Sequence, residues 1–160
     1  LLACNANRTL PEFFAGADYA PREAVATLAN AMDVGAPSNF ERLRWSHPDA
    51  AGLRRLVQAA SVDDAAIRRT IAAHAQAHGE VFCPHTATAV HLLDERLAAG
   101  DRGPWAVVAT AHPAKFESVV EPLIGGPVAV PPALGAMLAR SASAEPLAAS
   151  EEALASWLRG

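Results

Sequence analysis

Lysine is almost missing from this chain: Lys115 stands alone against twelve arginines. Any chemistry that needs a lysine amine must use Lys115 or obtain one from sequence beyond these residues. Two cysteines, Cys4 and Cys83, are too few for a disulfide framework and point to a reducing cytoplasm. No apolar run approaches the roughly 20 residues that span a bilayer, and no signal peptide opens the chain. Basic charge is not in excess either. A net charge of −4 gives no reason to expect nucleic acid or an acidic membrane surface as a partner. An initiator Met is also absent, and the sequence opens directly into LLAC, so we expect a piece of a longer protein.

What remains is an apolar, helix-rich pattern. Of 160 residues, 51% are hydrophobic and 19% charged, enough for the core of one ordinary domain or part of a larger one. Residues 1–4 read as a short strand ending in the polar NANRT. A turn of helix follows at 11–14, and Pro21 opens a helix whose face is Val25, Leu28 and Met32. Residues 35–39 form a turn-rich loop, and 40–45 is too short to classify. The spacing predicts a helix over 49–60, with Leu53, Leu56, Val57 and Ala60 on one stripe. Ser61 with Asp64 resembles a capping box. The helix it opens turns Ile67, Ile71 and Ala75 inward and Arg68 and Arg69 outward, and stops at Gly79.

A connector with a short strand at 81–83 leads to a helix capped by His85 or Thr86, burying Ala89, Val90, Leu93 and Leu97 and closing at Gly100. Residues 106–109 are small or β-branched and uncharged, the pattern of a strand buried on both faces. Thr110, His112 and Lys115 follow it, with Pro113 at the first turn of a helix presenting Phe116, Val119, Val120 and Leu123. Gly125-Gly126-Pro127 breaks that helix. An edge strand at 128–130, a short helix from 131 to 138 and an irregular linker at 141–149 precede a last helix. Ser150 caps it, and Leu154, Trp157 and Leu158 face inward. A few short strands alternating with many helices argue for an α/β fold of short parallel strands covered by helices. In such sheets ligands bind past the carboxyl ends of strands, beside helix N-termini that favour anions, which directs attention to 110–115.

Several constellations invite a chemical reading. His74 and His78 lie four apart on one helix, with Cys83 and His85 shortly after, all potential zinc ligands, although C-x-H is not a common zinc spacing. Solvent-facing histidines on an alanine-rich helix are the competing explanation. The pairs Asp63-Asp64 and Glu151-Glu152 fall in first turns of helices, where carboxylates meet the helix dipole, and need no catalytic role. His112 with Lys115 offers a general base and a phosphate-binding cation, or equally a capping imidazole and a solvated amine. No G-x-S-x-G, Walker loop or GxGxxG occurs.

Four segments together resemble threonine synthase, in that family's order. Residues 27–43, TLANAMDVGAPSNFERL, are similar to its TLSNAMDV…PSNFERL-type stretch. FCPHTATAV at 82–90 resembles its PHTA helix start, with Cys83 where the family usually has an acid. ATAHPAKF at 109–116 resembles its STAHPAKF-type segment, and LLACNANRTLPEFF its strand and NAND…PRF segment, with Arg8 replacing an acid.

The resemblance implies the C-terminal part of a fold-type-II pyridoxal 5'-phosphate enzyme spanning 1–160, with a helical insertion at about 46–80 and a C-terminal extension at about 125–160. It implies conversion of O-phospho-L-homoserine and water to L-threonine and phosphate, the cofactor's pyridine acting as electron sink. The family's Schiff-base lysine and glycine-rich phosphate cup lie in the missing N-terminal portion. Lys115 does not match that lysine, so no catalytic residue is assigned here and the chain alone is expected to be inactive. By the same resemblance Thr110 supplies the hydroxyl that meets the pyridine nitrogen. Asn30, Ala31, Met32 and Asp33 lie along the cofactor face, and Asn5, Asn7, His112 and Lys115 are near-site candidates. A threonine-synthase-like phospho-lyase and a non-catalytic zinc-binding α/β module are the alternatives.

Overall fold

A computed structural model of the chain describes residues 1–159. Two short strands, β1 (Leu2–Cys4) and β2 (Ala59–Ser61), pair in parallel with Leu2 opposite Ala59 and Cys4 opposite Ser61. The described residues also form eight α-helices: α1 (Thr9–Phe14), α2 (Phe40–Ser46), α3 (Ala50–Leu56), α4 (Asp64–His78), α5 (Pro84–Ala98), α6 (Glu117–Ile124), α7 (Pro132–Leu138) and α8 (Glu151–Arg159). The helix-rich α/β reading therefore holds. The chain divides into two compact units, Leu1–Ala129 and the residues from Val130 onward.

In the first unit, α4 and α5 carry the main core. The Asp63 carboxylate accepts the Ala66 amide at 2.7 Å and caps α4, so the cap lies two residues later than the Ser61 start predicted from sequence. Gly79, at φ +70°, ends α4 in the left-handed conformation that glycine enters without steric cost. The period-3.6 stripe puts Ile67 and Ile71 inside with no exposure, against Ala87, Leu92 and Val120. Each such aliphatic side chain contributes about 1.5–3 kcal/mol of burial. A second cluster gathers Phe13, Phe40 and Leu53, with the Phe13 and Phe40 rings 4.7 Å apart and edge-on. Arg54 closes it: the guanidinium sits 4.5 Å from the Phe13 ring centroid and donates to the Phe13 and Ala17 carbonyls, each at 2.8 Å.

Several local expectations fail, each for a tertiary reason. The predicted helix from Pro21 is absent. Residues 21–29 run irregularly, and a single 3-10 turn, Asn30–Met32, ends the stretch. Side chains from β1's end claim this backbone: Val25 N–H donates to Asn7 Oδ1 at 2.8 Å, and the Val25 and Ala29 carbonyls accept from Asn7 and Asn5. The helix over 49–60 stops at Leu56, because residues 59–61 pair with β1 instead. The apolar run 106–109 forms no strand and is mostly exposed, Val108 at 76%, since no strand among the described residues lies beside it. Residues 81–83 and 128–130 likewise form no strand. The α5 cap is Cys83, whose Sγ accepts the Thr86 amide at 3.4 Å, with Pro84 in the first turn, displacing the predicted His85 or Thr86.

The second unit contains α7 and α8. Ser150 Oγ caps α8 by accepting the Ala153 amide at 3.2 Å, as its position suggested. The stripe predicted to face inward does not: Leu154, Trp157 and Leu158 are 47%, 56% and 68% exposed. Trp157 Nε1 donates to the Glu145 carboxylate at 2.9 Å.

Candidate functional site

A cavity of about 650 Å³ lies between β1 and the irregular run at 105–111. Its walls are mostly apolar, from Leu1–Ala3, Ala89, Leu93 and Trp105–Val108. Ala31 and Met32 of the 3-10 turn, Thr110, Lys115 and His85 also line it. The N-terminus of α5 organises these walls. Thr86 Oγ1 accepts the Thr110 amide at 3.4 Å and lies 3.3 Å from Cys83 Sγ. His85 Nε2 accepts the Ala31 amide at 3.0 Å, and the imidazole packs at a tilt against Phe116 with centroids 4.8 Å apart. Thr110 is thus held by its backbone, and its hydroxyl has no hydrogen-bond partner among the described residues.

Behind the 3-10 turn lies a polar knot built by β1's carboxyl end. Asn5, fully buried, donates through Nδ2 to Asp33 Oδ1 at 2.7 Å, to Thr27 Oγ1 at 2.8 Å and to the Ala29 carbonyl at 3.2 Å. Its Oδ1 accepts both the amide and the Nδ2 of Asn7, each at 2.9 Å. Asp33 in turn accepts the Thr27 amide at 3.0 Å and the Thr27 hydroxyl at 2.7 Å. Asp64 adds a further tie by accepting the Leu28 amide at 3.1 Å. A buried network with its members satisfied specifies one arrangement, and this one fixes the path of 25–33 against the strand.

The imidazole of His85 is held below its ordinary value of 6.5, first by burial, with Lys115 acting the same way and Asp33 opposing. Burial pushes the Cys4 thiol up to about 11.

The histidines and cysteine singled out as zinc ligands are not brought together. His74 Nε2 pairs with the Asp94 carboxylate at 2.8 Å, His78 stands beside the His74 ring at 5.4 Å, Cys83 caps α5 and His85 binds Ala31. Among the described residues no three potential ligands converge. The two cysteines are free thiols.

Comparison with known proteins agrees with this architecture. Residues 86–157 match the family described as "Threonine synthase, C-terminal". Threonine synthase of Serratia marcescens is 35% identical over 134 residues, covering 84% of this chain and 30% of that protein. The crystal structure of threonine synthase from Escherichia coli superposes with a TM-score of 0.77 at 30% identity, covering 98% of this chain and 36% of that one. Over most of its length the chain resembles the C-terminal part of threonine synthases. A PLP-bound threonine synthase from Brucella melitensis superposes with a TM-score of 0.73 at 28% identity, over 88% of this chain and 35% of its own. The chain therefore spans about 30% of the length of the curated threonine synthases it matches.

Within this chain the sequence-predicted positions separate into three sets. Thr110, Lys115, Ala31 and Met32 meet at the cavity. Asn5, Asn7 and Asp33 form the polar knot behind it. Asn30 is exposed in the turn, and His112 caps the 3-10 turn Pro113–Lys115 by accepting the Ala114 amide at 3.2 Å. Sequence reasoning offered His85 and Thr86 only as helix caps, and His85 as a zinc ligand, and missed that they tie the cavity's walls together. Their place in a segment resembling the family's PHTA helix start was visible in the sequence. Their partners, 54 and 24 positions away, were not.

Proposed function

We propose that this chain is the C-terminal part of a cytoplasmic, pyridoxal 5'-phosphate-dependent threonine synthase that converts O-phospho-L-homoserine and water to L-threonine and phosphate. In this reading the N-terminal portion of the same protein supplies the Schiff-base lysine and the phosphate cup, and this chain alone is inactive. Residues at about 46–80 are then a helical insertion and those from about 125 a C-terminal extension. The two free thiols suit a reducing compartment.

The observation that carries the proposal is the hydroxyl of Thr110, without a hydrogen-bond partner among the described residues, on a mostly apolar cavity that Lys115 and His85 also line. A flat aromatic cofactor fits such walls, and the hydroxyl is a donor and acceptor suited to a ring nitrogen. When bound, pyridoxal phosphate supplies an electron sink for carbanions formed next to it. Thr110 orients the ring. Being a far weaker acid than a carboxyl group, it leaves the ring nitrogen unprotonated and so moderates that sink. Ala31 and Met32 close one side of the cavity, and the apolar residues 105–108 help exclude water. Lys115 lends positive charge to anionic groups at the rim.

The test is steady-state kinetics of the full-length protein, following threonine and phosphate released from O-phospho-L-homoserine. Thr110→Val is expected to lower kcat by about tenfold or more, the equivalent of one lost hydrogen bond to the cofactor, without loss of folding. Turnover of other phosphorylated amino acids in preference to this one, or full activity of the variant, contradicts the proposal.

A further inference from the structure

His85 is only 7% exposed, yet its hydrogen bonding is incomplete. Because Nε2 accepts the Ala31 amide, the ring proton of the neutral imidazole sits on Nδ1, and that atom is buried with no partner among the described residues. An orphaned buried donor costs about 1–3 kcal/mol, so the native arrangement retains His85 against its own hydrogen-bonding preference. The same ring spans two separate cavity walls. Its acceptor edge holds the amide of Ala31 in the 3-10 turn, and the ring packs against Phe116, next to Lys115, with centroids 4.8 Å apart and planes tilted by 52°. His85 itself lines the cavity between them.

We infer that His85 is a positioning residue that fixes the spacing between the Ala31–Met32 wall and the Lys115–Phe116 wall of the cavity. This rests on the proposed threonine synthase reading, in which those walls enclose the cofactor. The role needs an acceptor lone pair at Nε2. Burial together with Lys115 keeps the ring neutral near physiological pH, while Asp33 is the one group acting in the opposite sense. Phenylalanine keeps an aromatic ring against Phe116 but has no acceptor. Glutamine places an amide oxygen near the Nε2 position and can accept the Ala31 amide.

The experiment uses the full-length holoenzyme with H85F and H85Q, measuring peptide-level deuterium uptake and steady-state kinetics side by side. Uptake in the peptide containing Ala31 should rise in H85F and return to the wild-type level in H85Q, with the α4 peptide unchanged in both. Turnover should fall about tenfold in H85F, the scale of a modest misplacement of cavity groups, and recover to within about threefold in H85Q. Equal losses in both variants, or an unchanged Ala31 peptide in H85F, overturn the inference. If H85F does not fold, H85Q decides: wild-type uptake at Ala31 with near-wild-type turnover supports the role, and loss of either refutes it. The exchange arm is independent of the reaction, so a protein without threonine synthase activity fails the functional proposal while the wall-spacing role is still judged.

Discussion

The backbone N–H of Thr110 donates to the hydroxyl oxygen of Thr86 at 3.4 Å, tying the irregular run 105–111 to the N-terminus of α5. Thr86 also lies 3.3 Å from Cys83 Sγ, so one side chain serves both the helix cap and the cavity wall. Thr86→Val keeps the shape and removes the acceptor. The expected cost is about 1 kcal/mol of stability, measured by chemical denaturation, with faster amide exchange at 105–111 and no change in α4.

Asn5 should be among the least tolerant positions. Asn5→Ala removes three donor contacts and two acceptor contacts in the buried knot with Asn7, Thr27 and Asp33. With several groups orphaned at about 1–3 kcal/mol each, a loss of roughly 3 kcal/mol or more is expected. Denaturant midpoints of wild type and variant check this.

Gly35 is sterically required. A Cβ there would lie 2.0 Å from the Arg22 carbonyl oxygen, which is backbone and unable to swing aside. The Gly35 carbonyl also accepts the Arg22 amide at 3.2 Å and the Thr9 hydroxyl at 2.8 Å. Gly35→Ala should destabilise by about 1–3 kcal/mol, the range for overpacking a close contact, and should free the 21–35 segment to proteolysis. Limited digestion of the variant reads this directly.

Acidification should weaken the fold through His85. Its folded-state value lies below 6.5, so just below pH 6.5 the unfolded chain binds a proton that the native state refuses. Stability contributed by the neutral ring is therefore complete above pH 6.5 and is lost as pH falls from 6.5 toward the folded value. Denaturation midpoints across that window should fall more steeply for wild type than for His85→Phe, which has nothing to titrate.

Much of this architecture is legible in the chain itself, where the determinants are local. The α4 stripe of Ile67 and Ile71, its stop at Gly79, and the helix ended by Gly125 are all set by residues within a few positions. The motif around Thr110 and Lys115 marked one wall of the cavity in the same way. What escaped reading depends on distant partners. Residues 21–29 have a helical stripe, yet Asn5 and Asn7 hold their backbone groups from about twenty positions away. Residues 59–60 continue an apparent helix and, with Ser61, become a strand only because Leu2–Cys4 pairs with them. The 106–109 run has strand-forming residues and no partner strand among the described residues, so it stays irregular and mostly exposed.

The most direct test of the account is nitrogen NMR of the full-length holoenzyme carrying pyridoxal phosphate labelled at its ring nitrogen. With Thr110 as the hydroxyl facing that atom, the wild-type signal is expected in the unprotonated, hydrogen-bonded range, and Thr110→Asp is expected to move it to the protonated range. A protonated wild-type nitrogen, or a signal indifferent to the Thr110→Asp change, contradicts the account.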